Sequence, residues 1–285
     1  QYPKNTKTVY SYLEPRSGGD FKEVVFIGLQ YFIKEYLQGQ VVTKEKIDKG
    51  EKIALASGMP FNRKGWEHIL NVHNGNLPIR IKAIPEGFIV PEGNILVSVE
   101  NTDPECFWLT NYIESLLLQV WHPITVATYS REIKKLIKDS FEKTVENFDI
   151  STDEAKIAYH LNDFSLRGCS SVETAAIGGL AHLVNFSGSD NIPAIELVED
   201  YYGGEQLKYF TICASEHSTI TSHGRANEIA ACENMLDQYP TGMVACVSDS
   251  YNIYNCVENI WGGALKEKVM TRDGTLVIRP DSGDP

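Results

Sequence analysis

Four short polar runs hold most of the residue types that could do chemistry: Asp163-Phe164-Ser165-Leu166-Arg167-Gly168, Ser215-Glu216-His217, Ser248-Asp249-Ser250 and Arg279-Pro280-Asp281-Ser282-Gly283. Arg167 and Arg279, with the neighbouring Gly168 and Gly283, suit an anion, because guanidinium forks and close-approaching backbone amides both match phosphate oxygens. Asp249 and Asp281 are hard oxygen donors that could hold Mg²⁺ or ribose hydroxyls, or balance a cationic transition state. Phe164 offers a face on which a heteroaromatic ring could stack. Acids, arginines and an aromatic together fit transfer on a phosphorylated sugar carrying a flat base. Each residue alone has a plainer explanation, since Asp and Ser are favoured helix caps and an isolated His is more often a satisfied neighbour than a catalyst. Four such runs in register are harder to explain that way.

The elements that must position these runs change character along the chain. Residues 1–150 read as an α+β domain. Ile79 to Ile84 alternates with period two, and Pro-Glu-Gly turns at 85–87 and 91–93 punctuate Phe88 to Val90 and Ile95 to Val99, which predicts a small antiparallel meander. Asp103, Pro104 and Glu105 predict a helix start ahead of Phe107, Trp108, Tyr112, Leu116 and Leu117. A second helix, about 128–143, is expected to pack through Ile133, Leu136, Ile137 and Phe141. From about residue 155 strand and helix alternate. Strand-like runs at Ile157 to Leu161, Tyr209 to Ala214, Met243 to Val247 and Leu276 to Ile278 are separated by helical patterns at about 170–185, 218–236 and 251–260, the first opened by a capping box of Ser170 and Glu173. Such alternation needs parallel strands, in a doubly wound sheet or a β/α barrel, with polar residues at the carboxyl ends of the strands around one mouth. Four strands cannot close a barrel, so residues 151–285 read as the first part of one and the chain as part of a longer polypeptide.

With 285 residues, 42% hydrophobic and 22% charged, the chain has an ordinary globular balance. A net charge of −12 repels bulk nucleic acid and anionic lipid, so neither is expected as a partner, and a polyphosphate would need a local site. No apolar run reaches bilayer length, and no leader pattern opens at Gln1. Six scattered cysteines without a C-x-x-C pair, or a histidine at finger spacing, predict buried reduced thiols and a cytoplasmic location rather than zinc or disulfides.

Longer motifs then become recognisable. Asn162-Asp163-Phe164 through Arg167-Gly168-Cys169-Ser170-Ser171 with Glu173-Thr174-Ala175, Ser215 to Ile220, Val247-Ser248-Asp249-Ser250-Tyr251 and Ile278 to Pro285 closely resemble the nicotinamide phosphoribosyltransferases, of the type II phosphoribosyltransferase family. Val9 to Tyr12, Gly65-Trp66, Val99 to Cys106 and Pro123 to Thr128 extend the likeness across nearly the whole chain. The resemblance implies an irregular β/α barrel beside an α+β domain, in a homodimer whose active site lies at the subunit boundary. It implies a reaction of nicotinamide with 5-phosphoribosyl 1-pyrophosphate, giving nicotinamide mononucleotide and pyrophosphate, with Mg²⁺ and with ATP as co-substrate. By the same resemblance Phe164 stacks on the pyridine ring, Arg167 and Arg279 edge the pocket, and Asp190 accepts from the carboxamide. His217 is the residue that ATP phosphorylates, Asp249 orients it, Asp281 acts at the ribose, and Arg16 contacts pyrophosphate. Thr211 and Ala245 stand where the family can place pocket serines. Without the resemblance, Asp190 in Gly188-Ser189-Asp190-Asn191 reads as a solvated turn residue. The family pattern also extends before Gln1 and beyond Pro285. Two rivals remain: nicotinate phosphoribosyltransferase, disfavoured because Asp190 would repel an acid substrate, and a non-catalytic binding protein of the same fold, in which His217, Asp249 and Asp281 have no reason to occur together.

Overall fold

Among the described residues, seven strands and most of the helices belong to a first compact unit, residues 1–210, and residues 211–285 form a second. The computed structural model describes residues 2–203 and 209–283, so Gln1 and the last two residues of the Ile278–Pro285 motif lie outside the described residues. The change of rhythm near residue 155 does not coincide with the division by packing.

In the first unit, β1 (Tyr10–Leu13), β2 (Glu23–Val25), β3 (Ile79–Ala83), β4 (Ile89–Pro91) and β5 (Val97–Asn101) make two antiparallel groups, ordered β1-β5-β3 and β2-β4. β6 (Asn162–Asp163) and β7 (Gly188–Ser189) pair in parallel. The predicted meander is therefore divided. β3 and β5 are neighbours, with Ile81 opposite Val99, but the intervening β4 turns away to pair with β2. β5 lies between two strands and alternates as a strand with one covered face should, with Val97, Val99 and Asn101 buried. Asn101 ties the sheet to its surroundings by accepting from Val9 N (2.8 Å) and donating to the Lys7 and Asp103 carbonyls (2.8 Å each).

Asp103 caps as expected, its Oδ1 accepting from Glu105 N at 2.9 Å, but the following segment is a series of short turns rather than one helix. The long helix runs from Trp121 to Thr144, starting earlier than the expected 128. Its buried face is Pro123, Ile124, Ala127, Thr128 and Ser130, whereas Leu136 is 67% exposed. The expected packing through Ile133 and Leu136 is thus incorrect, because the core lies against the first half of the helix only. Gly28, at φ 100°, lets the chain approach that half, since a Cβ there would meet Pro123 Cγ at 2.4 Å. The expected strand at 157–161 is also incorrect: Ile157 ends a helix begun at Ile150, and β6 starts only at Asn162. Ser171, not Ser170, caps the next helix, Val172–Leu183, accepting from Thr174 N at 3.0 Å. With the cap at Ser171, Glu173 falls one residue short of the capping-box position, and its Oε1 instead accepts from Tyr31 OH (2.7 Å) and Tyr36 OH (2.6 Å).

The second unit holds β8 (Cys213–Ala214), β9 (Val244–Val247) and β10 (Leu276–Arg279), parallel and ordered β10-β9-β8. β9 is buried at every residue, as expected of a central strand with both faces covered. The single helix expected over 218–236 is two, His217–Thr221 and Glu228–Gln238, broken at Gly224 with φ 80°. All six cysteines are free. No closed barrel forms among the described residues, and no described helix is long and apolar enough to cross a membrane.

His68 and His73 both place Nε2 2.7 Å from Asp103 Oδ2, and these hydrogen bonds, with that from Glu105 N, hold the Asp103 carboxyl down to about 2. A carboxylate depressed on folding adds stability above its ordinary value, and this is lost as pH falls toward the folded one. Asp103→Asn keeps a cap but loses the charge. We expect it to cost about 2 kcal/mol at neutral pH, the difference from wild type shrinking between about pH 5 and about pH 2 in urea titrations. A constant difference over that range would contradict this source of stability.

Candidate active site

In the second unit the three strand ends deliver their side chains to one another. His217 lies three residues after β8 and opens the helix His217–Thr221, whose start is fixed by Glu216 N donating to Thr219 Oγ1 at 3.1 Å. Asp249 lies two residues after β9, Arg279 closes β10, and Asp281 follows it. His217 Nε2 is 2.9 Å from Asp249 Oδ1, and His217 Nδ1 is 3.7 Å from Asp281 Oδ2. The other oxygen of Asp249, Oδ2, accepts from Asp281 N (2.8 Å), Ser282 N (2.7 Å) and Ser282 Oγ (2.7 Å). Burial alone would raise the Asp249 carboxyl, but the hydrogen bonds from Ser282, Asp281 N and His217 outweigh it and leave it well below the ordinary carboxylate range. Asp249 is therefore a fixed anion, nearly covered, while the His217 and Asp281 side chains are 41% and 49% exposed. Arg279 is anchored through Nη2 to the Ser215 carbonyl at 3.0 Å and has Nε 3.6 Å from Asp281 Oδ1, without a hydrogen-bond partner on Nε.

Because an anionic carboxylate accepts from Nε2–H, the neutral imidazole keeps its lone pair on Nδ1. That nitrogen lies on the half-exposed side next to Asp281. The set is a basic nitrogen with fixed tautomer, beside one half-exposed carboxylate and one guanidinium, which suits accepting and holding a phosphoryl group.

In the first unit, Phe164 and Asp190 follow β6 and β7, and the two loops are joined by Asp190 N donating to the Asp163 carbonyl at 3.0 Å. Phe164 is 54% exposed, which argues against core packing for its ring. Arg167 lies on the single turn Ser165–Gly168 that follows. Phe164 and Arg167 thus follow a strand as expected, although that strand is β6 rather than the run 157–161, and Asp190, which read from its own run as a turn residue, follows β7. Arg16 lines a cleft of about 280 Å³ with Phe21, Thr125, Thr128 and Tyr129, and none of Phe164, Arg167 or Asp190 lines that cleft. Thr211 is exposed at the start of the second unit, and Ala245 is buried in β9 opposite Ala214 and Val277.

The positioning roles of several residues were not legible in the sequence. Buried Asp163 accepts from Ser165 N (2.8 Å) and from Asn191 Nδ2 (3.0 Å), and Asn191 Nδ2 also donates to the Ala175 carbonyl (2.9 Å). Gly179 makes room for this contact, because a Cβ there would meet Ala194 Cβ at 2.4 Å, Asn191 Nδ2 at 2.7 Å and Asp163 Oδ2 at 2.8 Å. His182 is buried against the Gly188 carbonyl (3.0 Å), and burial lowers its pKa, so it serves as a neutral strut for β7.

The family described as "Nicotinamide phosphoribosyltransferase, N-terminal domain" matches residues 1–81, and the "Nicotinate phosphoribosyltransferase (NAPRTase) family" matches residues 159–285. A curated protein named nicotinamide phosphoribosyltransferase from Xanthomonas campestris pv. campestris (strain 8004) is 44% identical over 287 residues, covering 100% of this chain and 60% of that protein. Two family models of phosphoribosyltransferases thus match this chain in succession, and this relative is similar to it along the whole of the chain. A protein of the same name from Acinetobacter baylyi is 33% identical over 100% of this chain and 59% of its own length. The crystal structure titled human nicotinic acid phosphoribosyltransferase aligns with a TM-score of 0.62 at 15% identity, covering 98% of this chain and 58% of that chain, a likeness of fold. The chain thus spans about 60% of the length of the curated relatives it matches.

Two substitutions test the framework beneath Phe164 and Asp190. Asn191→Ala leaves the buried Asp163 carboxylate and the Ala175 carbonyl short of a donor and should cost about 2–3 kcal/mol. Gly179→Ala should cost about 1–3 kcal/mol by overpacking the same point. Because the two act on one contact, the double variant should lose less than the sum, measured by urea unfolding. Strict additivity would show that the two residues are not coupled.

Proposed function

We propose that this chain carries the base-binding and phosphoryl-handling residues of a nicotinamide phosphoribosyltransferase, which joins nicotinamide to 5-phosphoribosyl 1-pyrophosphate, releases pyrophosphate and is coupled to ATP, in NAD salvage. The observation that carries the reading is His217 oriented by Asp249, with Nδ1 turned toward Asp281 and Arg279 nearby. The names of the curated relatives support it.

In this reading His217 Nδ1 attacks the terminal phosphorus of ATP. The bond from that phosphorus to the bridging oxygen breaks, ADP leaves, and Asp249 holds the charged ring. Phe164 stacks on the pyridine ring and Asp190 accepts from the carboxamide N–H, which aligns the ring nitrogen for attack on the ribose carbon as the bond to pyrophosphate breaks. Asp281 offsets positive charge that develops on the ribose, and Arg279, Arg167 and Arg16 meet phosphate charge. Thr211 and Ala245 are assigned to the pocket by family position. Asp281 fits a hard cation, since it is a half-exposed oxygen donor, whereas both Asp249 oxygens are taken by hydrogen bonds. Mg²⁺ held there would neutralise charge on phosphate groups.

We assign residues 1–150 to the family's α+β domain and 151–285 to the first part of its irregular β/α barrel, with a cytoplasmic homodimer as the working form. The match of residues 159–285 to the nicotinate family raises the acid substrate as a second reading. Asp190 weighs against it, because a carboxylate facing a carboxylate is repelled while an amide N–H is a donor.

In the full-length protein, His217→Ala should abolish ATP hydrolysis and ATP-stimulated synthesis while leaving weaker basal transfer. Full ATP coupling in that variant would refute the role. Asp190→Asn should shift the ratio of kcat/KM for nicotinamide over nicotinate by about tenfold or more toward nicotinate, or about 1.4 kcal/mol. An unchanged ratio removes the substrate assignment without touching that of His217.

A further inference from the structure

Two pairs of side chains that the sequence separates by about thirty residues meet in the first unit, and nothing in the proposed reaction uses them. His68 lies in the helix Arg63–Val72, and His73 caps its carboxyl end. Asp103 and Cys106 sit on the single turn that follows β5. One ligand atom from each of these four residues lies within 4.8 Å of all the others. Both imidazoles turn Nε2 toward Asp103 Oδ2 at 2.7 Å, with their rings edge to face at 5.7 Å between centroids.

We propose that His68, His73, Asp103 and Cys106 form a binding site for a divalent transition metal of the zinc class. The donor set is two imidazoles, one carboxylate and one thiol, which are the ligand types that zinc uses in four-coordinate sites. A soft sulfur donor with two imidazoles selects Zn²⁺, Co²⁺ or Cu²⁺ over Mg²⁺ and Ca²⁺, which prefer oxygen alone. Bond lengths of about 2.0–2.3 Å in a tetrahedron put ligand atoms about 3.3–3.8 Å apart, so the four donors need shifts of only an ångström or so, the two ring nitrogens drawing back from Asp103. On binding, Cys106 gives up its thiol proton to solvent, and each imidazole turns a lone pair rather than N–H to the centre.

The surroundings favour a site that is held in place and can still be entered. Asp103 is fixed from outside by Glu105 N on Oδ1 (2.9 Å), by Asn101 Nδ2 on its carbonyl (2.8 Å) and by Cys106 N on the same carbonyl (2.9 Å). Such outer hydrogen bonds are what orient ligands at metal centres. Cys106 is fully buried, whereas the His68 and His73 side chains are 30% and 29% exposed, so the sulfur closes the inner side and an ion enters past the two rings. The plainer reading is an Asp–His hydrogen-bond network that caps a turn without any ion. It accounts for three of the four residues and leaves the thiol beside them unused. This proposal is independent of the reaction assigned above.

The test is a titration of the purified metal-free protein with Co²⁺, whose bond to a thiolate gives a near-ultraviolet charge-transfer band. One equivalent should bind with that band, Zn²⁺ should displace it, and excess Mg²⁺ should not. Cys106→Ser should lose the band, and His73→Gln should weaken Co²⁺ binding by about tenfold or more. Zn²⁺ should raise the thermal midpoint of wild type more than that of either variant. His73 is part-exposed, so its variant keeps the test open if Cys106→Ser does not fold. His217→Ala should bind Co²⁺ as wild type does, which separates this site from the reaction. Absence of binding, a band that persists in Cys106→Ser, or Co²⁺ that Mg²⁺ displaces would each overturn the proposal.

Discussion

The four hydrogen bonds accepted by Asp249 are the constraint on which the chemistry of this chain depends. One oxygen takes the imidazole of His217, and the other takes two backbone amides and a hydroxyl from the Asp281-Ser282 turn. A nearly covered carboxylate would ordinarily gain a proton, but with these donors its anionic form is the stable one. An anion at that point fixes the histidine tautomer, and a fixed tautomer makes one ring nitrogen available on the side where Asp281 and Arg279 lie. The same carboxylate holds the loop that carries Asp281, so the partner of the histidine and the neighbour of its free nitrogen are positioned together.

Parallel pairing is what brings these groups into register. β8, β9 and β10 run the same way, so their ends fall on one edge, and residues two or three past each end meet there. In the first unit β6 and β7 do the same on a smaller scale, and there Asp163, Asn191 and Gly179 replace sheet length with a buried polar contact. Two-residue strands cannot hold two loops by ladder bonds alone. The side-chain network supplies the missing rigidity beneath Phe164 and Asp190.

Much of this was legible because it is local. β9 announces itself as a continuous apolar run, β10 and β3 as short apolar or alternating runs, and the polar residues after them fall where strand-end chemistry belongs. The motifs around Asp163, His217 and Asp249 named the family, and the matches over residues 1–81 and 159–285 agree with that resemblance. What was hidden depends on distant partners. The apolar residues from Ile133 to Phe141 have helical spacing, yet only the first half of their helix meets a core. Glu173 looked like a capping residue, but the cap falls one residue later, at Ser171, and two tyrosines from elsewhere bond its carboxylate. β6 and β7 are too short to carry periodicity, and His68 and Cys106 are too far apart in sequence to resemble a finger.

The account is tested most directly by locating the phosphate after the full-length protein is incubated with ATP. Peptide mass spectrometry under neutral conditions, with ³¹P NMR of the intact protein, should find one acid-labile phosphate on the peptide carrying His217, bonded through Nδ1. Its yield should fall sharply in Asp249→Asn. A phosphate on another residue, or undiminished labelling of His217 when Asp249 is neutralised, would contradict the claim that this carboxylate prepares the histidine.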